Sequence, residues 1–98
     1  MTGKAWPPEG AVHRVVTIVN QKGLHARAAA AFAKTSGHYQ ASVTVRRGEH
    51  VVSGLSIMGL MMLAATPGTE IEIAATGKDA EAAVAALEQL VALRFGED

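Results

Sequence analysis

Ala41-Ser42-Val43-Thr44-Val45-Arg46-Arg47-Gly48-Glu49-His50-Val51-Val52 is the stretch on which the fold turns. Ala41, Val43 and Val45 alternate with Ser42 and Thr44, the period of a half-buried strand, and Gly48 supplies a turn before Val51-Val52. This predicts a β-hairpin. Strands joined by so tight a turn run antiparallel, whereas parallel neighbours need a crossover of a dozen residues or more.

Working toward the N-terminus, the β-branched run from His13 to Val19 reads as a strand, followed by the polar connection Asn20-Gln21-Lys22-Gly23. Ala26 to Ser36 places Ala29, Phe32, Ala33 and Ser36 on one helical face, and Gly37 closes the helix. Trp6-Pro7-Pro8-Glu9-Gly10 continues neither helix nor ladder, so residues 1–11 are expected to form an extended tail ahead of one domain, 12–98.

Toward the C-terminus, Ser56 stands where an N-cap belongs, and a short apolar helix is expected over Ile57 to Ala65, ended by Thr66-Pro67-Gly68. Ile71 and Ile73 alternate with Glu70 and Glu72 in a strand with one buried face. Asp79 can cap a last helix with Val84, Leu87 and Val91 on one stripe, Arg94 near its end and Gly96 beyond. The order β-α-β-β-α-β-α is expected to pack as an α+β fold, a four-stranded antiparallel sheet with its helices on one face.

Composition narrows the function classes. The 98 residues carry 9 basic and 9 acidic side chains, and only 18% are charged, so the basic excess that draws a chain onto nucleic acid is missing. Without cysteine there is no disulfide framework, thiolate zinc site or thiol nucleophile, which fits a cytoplasmic setting. The longest apolar stretch, Ile57 to Ala65, is far short of the roughly 20 residues that span a bilayer. No membrane insertion is expected.

The chemistry gathers in Gly23-Leu24-His25-Ala26-Arg27, where a histidine stands at the junction of a loop and a helix. The first helical amides, here Ala26 and Arg27, have no intrahelical acceptors and act as about half a positive charge, a setting suited to phosphate. Arg27 adds a donor fork, and Lys22 adds positive charge nearby. Neutral imidazole is a nucleophile able to carry a covalent phosphoryl group, whose transfer asks mainly for positioning and charge stabilisation. His13, His38 and His50 lack such a setting, and a four-histidine metal site is weakly motivated. No metal is expected.

Ser56-Ile57-Met58-Gly59-Leu60-Met61-Met62-Leu63 carries apolar residues around much of a helix. Leu60 and Leu63 are expected in the core, while Ile57, Met58 and Met61 can form an adaptable docking patch. Ser56 is an N-cap that could also carry phosphate, which would set nearly two negative charges at the patch's edge.

These two motifs, about thirty residues apart, resemble the signatures of HPr, the histidine-containing phosphocarrier family of the bacterial phosphotransferase system. The resemblance covers Val12 to Phe95 and implies an open-faced β-sandwich, four antiparallel strands covered on one face by three helices. It further implies a carrier, not a turnover enzyme, in which His25 takes a phosphoryl group on Nδ1 from enzyme I and gives it to an enzyme IIA domain. Arg27 would stabilise the phosphate, and no cofactor is implied. Lys34, Ile57, Met58 and Met61 match docking positions, and Ser56 matches the serine modified by HPr kinase/phosphorylase. A monomer in either the sugar or the nitrogen-related branch is expected.

Two residues depart from the family pattern. Ala28 stands where many members have proline, and Leu55 replaces a frequent lysine, which enlarges the apolar patch. Two other readings differ in class. One is an HPr-like regulatory module acting through Ser56 alone, against which the retention of His25 with Arg27 argues; the other is a small metal- or ligand-binding domain.

Overall fold

The computed structural model describes residues 5–97. The hairpin forms as expected: strand β2 spans Ser42–Arg47 and strand β3 spans His50–Ser53, paired antiparallel from Thr44 with Ser53 to Arg47 with His50. Gly48 takes the first turn position with φ of 62°, a conformation open to glycine at little cost.

Strand β1 spans Val12–Thr17 and strand β4 spans Glu70–Thr76. The sheet order is β1-β4-β2-β3, and every neighbouring pair is antiparallel. Helices α1 (Ala26–Gly37), α2 (Ile57–Met62) and α3 (Ala80–Ala92) follow in the predicted order, with a short 3-10 turn at Arg94–Gly96. Four antiparallel strands and three helices confirm the α+β class.

Period-two burial places the layers. Val43, Val45, Ile71, Ile73 and Ala75 are buried beneath the helices, together with Ala29, Phe32, Leu60, Leu63, Val84, Leu87 and Val91. Leu60 and Leu63 are thus core residues, as their pattern predicts. The opposite sheet face carries His13, Thr44, Arg46 and Glu72, aligned by the pairing of His13 and Thr44 with Ala74 and of Arg46 with Glu72.

Strand β1 ends at Thr17 instead of Val19, and the end of α2 and the cap of α3 also differ from expectation, these last two for local reasons. Helix α2 ends at Met62 because the amides of Leu63 and Ala64 bond back to Leu60 and Met61, and Ala64 then enters the left-handed region. Arg47 holds the freed end, donating through Nη1 to the carbonyls of Leu63 at 2.8 Å and Ala64 at 3.1 Å. Asp79 precedes α3, but its side chain makes no cap bond; Oδ2 accepts the amide of Gln40 at 2.8 Å, tying the α1–β2 connection to the helix start.

Of the expected tail, residues 1–4 lie outside the described residues. From Ala5 to Ala11 there is neither helix nor strand, yet Trp6 is half-buried. The Ala11 amide bonds to the carbonyl of Pro8 at 3.0 Å, so the segment turns before β1.

Candidate functional site

His25 is the N-cap residue of α1, in extended backbone conformation with φ of −77° and ψ of −178°. Its carbonyl accepts the Ala29 amide at 2.8 Å, closing the first helical turn. Among the described residues, the amides of Ala26 and Arg27 meet no acceptor, and both residues are exposed. The helix start is therefore open to an anion beside the ring.

The loop that delivers His25 is held by two anchors. Gly23 sits at φ of 64°, and a Cβ built there would stand 2.2 Å from the carbonyl oxygen of Ala65, a clash with backbone that only glycine avoids. Next to it, the Leu24 amide donates to that same oxygen at 2.9 Å. The second anchor is Asn20, fully buried, whose Nδ2 donates to the Gly23 carbonyl at 2.9 Å.

The ring's partner comes from the far end of the chain. Nε2 of His25 lies 2.5 Å from Oε2 of Glu97, whose other oxygen accepts from Asn20 Nδ2 at 3.2 Å. After α3 the chain is bent back by three successive left-handed residues, Arg94, Phe95 and Gly96. Two of these are not glycine, a conformation that costs roughly 1–2 kcal/mol each; burial of the Phe95 ring against the core offsets it. Glu97 is thereby carried onto the site. Burial works against its ionisation, but bonds from His25 and Asn20, with the charge of His25 and Arg27, outweigh that and hold its pKa below the ordinary value.

With a carboxylate accepting at Nε2, that nitrogen carries the hydrogen of a neutral ring, and Nδ1 keeps the lone pair. Beside the ring, Gln21, Lys22, Arg27, Phe95, Gly96 and Glu97 line an open hollow of about 370 Å³. Lys22 and Arg27 therefore share one hollow. Sequence reasoning missed Asn20, read as part of a polar connection, and Glu97, to which it gave no role. The sole signal for the latter was Gly96.

Ser56 caps α2 as predicted, its Oγ accepting the Gly59 amide at 2.9 Å. Around it the apolar residues reach solvent: Leu55 is 61% exposed, Ile57 44%, Met58 71%, Met61 40% and Met62 79%. Leu55 borders the end of α1, where a Cβ at Gly37 would meet its Cδ2 at 3.7 Å, and exposed Lys34 lies one turn earlier on that helix. The expected docking residues thus lie around the α1–α2 side of the molecule, with Met62 added. His13 lies on β1, His50 on β3 and His38 just past the end of α1, and among the described residues no group of three or more ligand-type side chains could hold a metal. No described helix is long and apolar enough to cross a membrane.

Residues 12–92 match the family described as "PTS HPr component phosphorylation site". The chain is 45% identical over 82 residues to a phosphocarrier protein HPr of Neisseria meningitidis serogroup A, covering 84% of this chain and 92% of that one. It is 41% identical over 86 residues to a phosphocarrier protein NPr of Shewanella violacea, covering 88% and 94%. Among solved structures, HPr-C-His of Thermoanaerobacter tengcongensis superposes with a TM-score of 0.85 at 36% identity, covering 89% of this chain and 98% of that one.

Proposed function

The chain belongs to the HPr family of phosphotransferase-system phosphocarriers, and from that premise we propose that His25 is the residue that takes up and releases the phosphoryl group. The observation that carries this reading is the contact of Glu97 with Nε2 of the N-cap residue of α1; in a neutral ring that donates there, the lone pair falls on Nδ1.

Nδ1 attacks phosphorus in line as the bond to the donor breaks, and the three equatorial oxygens meet the Ala26 and Arg27 amides and the Arg27 guanidinium. The donor is phosphorylated enzyme I, charged from phosphoenolpyruvate, and the acceptor is an enzyme IIA domain. Release is the same displacement reversed. Both partners dock on Lys34, Leu55, Ile57, Met58 and Met61, and the carrier acts as a cytoplasmic monomer.

Ser56 is the regulatory position, a substrate of HPr kinase/phosphorylase. Its exposed apolar neighbours support this role, since a phosphate there carries nearly two negative charges into a surface without a nearby carboxylate on α2 to set it apart. The test of the proposal is incubation with phosphoenolpyruvate and enzyme I, followed by mapping of acid-labile phosphate. Label confined to His25 supports it; label elsewhere, or none, overturns it.

A further inference from the structure

Trp6 is the chain's single tryptophan, and it is seated on the face of the sheet that carries no helix. Its indole Nε1 donates to Thr44 Oγ1 on β2 at 3.0 Å. The ring meets His13 of β1 edge to face, with centroids 5.5 Å apart and planes at 76°. The guanidinium carbon of Arg46 stands 4.5 Å from the indole centroid. Indole N–H, ring face and ring edge each have a matched partner.

The seat spans three strands. His13 and Thr44 both pair with Ala74, which lies between them on this outer face and is 1% exposed. The rim is fixed from beneath by Glu72, which accepts from Arg46 Nε at 3.0 Å and Nη2 at 3.2 Å and holds His13 Nε2 at 2.9 Å. A cation and an imidazole are thus positioned by one carboxylate, independently of the indole. Prolines 7 and 8 restrict the segment before it docks, which lowers the ordering cost.

We propose that His13, Thr44, Glu72 and Arg46 form a binding site for a tryptophan followed by prolines, and that its occupant in this chain is the chain's own segment Trp6–Gly10. The site lies across the sheet from the helices and from His25, so it is separate from the phosphoryl relay. The short tether holds the indole at an effective concentration of about millimolar. A free peptide of the same sequence is therefore excluded unless Trp6 is removed.

The experiment uses the full chain carrying Trp6→Ala, which has no tryptophan, and the capped hexapeptide of residues 5–10 as probe. Peptide emission and the amide resonances of Thr44 and Arg46 are followed. Saturable binding with a blue shift is expected, at least about tenfold weaker on the native chain, and lost when Thr44→Val and Arg46→Gln are added. No saturation on the folded variant, or equal binding to the native chain, overturns the proposal. Should Trp6→Ala fail to fold, quenching of Trp6 by acrylamide decides: Thr44→Val with Arg46→Gln in the otherwise native chain must raise it, and unchanged quenching overturns the site.

Discussion

Glu97 holds Nε2 of His25 at 2.5 Å, across 72 positions of sequence, and leaves Nδ1 as the ring nitrogen without that partner. Glu97→Ala removes the acceptor. The balance of ring tautomers in His25, read from its nitrogen chemical shifts, should move away from the form with hydrogen on Nε2. Labelling from phosphoenolpyruvate and enzyme I should slow severalfold, and an unchanged tautomer balance with an unchanged rate would remove Glu97 from the mechanism.

His25→Ala should abolish that labelling while leaving the fold intact, because the His25 side chain makes no cap bond and its backbone supplies the helix-closing carbonyl. Circular dichroism and a labelling time course check both halves. Label on the alanine variant at the native rate would exclude His25 as the acceptor.

The two roles of Ser56 can be separated by two substitutions. Ser56→Ala loses the bond to the Gly59 amide and should cost about 1 kcal/mol, which for a domain of this size is a fall in Tm of roughly 4–8 °C. Ser56→Asp keeps an acceptor for that amide, so stability should be nearly native, but its charge should weaken docking of enzyme I and slow labelling. Equal docking affinity for the aspartate variant and the native chain would refute the regulatory half.

Acid should dismantle the outer face of the sheet. Burial raises the pKa of Glu72, but bonds and charge from His13 and Arg46 outweigh it, and the net result lies below the ordinary 4.5. A carboxylate whose pKa is lowered by folding adds stability above its unfolded value and loses it as pH falls through the folded one. Glu72→Gln should therefore melt below the native chain at neutral pH, with the gap closing as pH falls past 4.5. A gap of constant size across the acid range would show that the contribution is not ionic.

The element order was legible because each segment's pattern agreed with its tertiary setting: β-branched alternation in β1 and β4, a glycine turn in the hairpin, and a serine cap on α2. The placement of His25 and Arg27 at a helix start was legible for the same reason, since a loop glycine and a helix start are local features. Asn20 and Glu97 were not. Glu97 reaches the site through a backbone bend at Arg94 and Phe95 that no propensity favours and that burial of one aromatic ring sustains, and Asn20 acts through a loop carbonyl, that of Gly23, which only the folded turn presents to it. Asp79 shows the same limit: its position announced a cap, but a nearby unsatisfied amide at Gln40 took its carboxylate instead.

Every methionine after Met1 lies on α2, and each of the three is exposed. Oxygenation of these thioethers would turn a pliant greasy surface polar without touching the sheet or the imidazole. Oxidative damage would then silence communication with other proteins before it unfolded this one, and enzymes that reduce methionine sulfoxide could restore it.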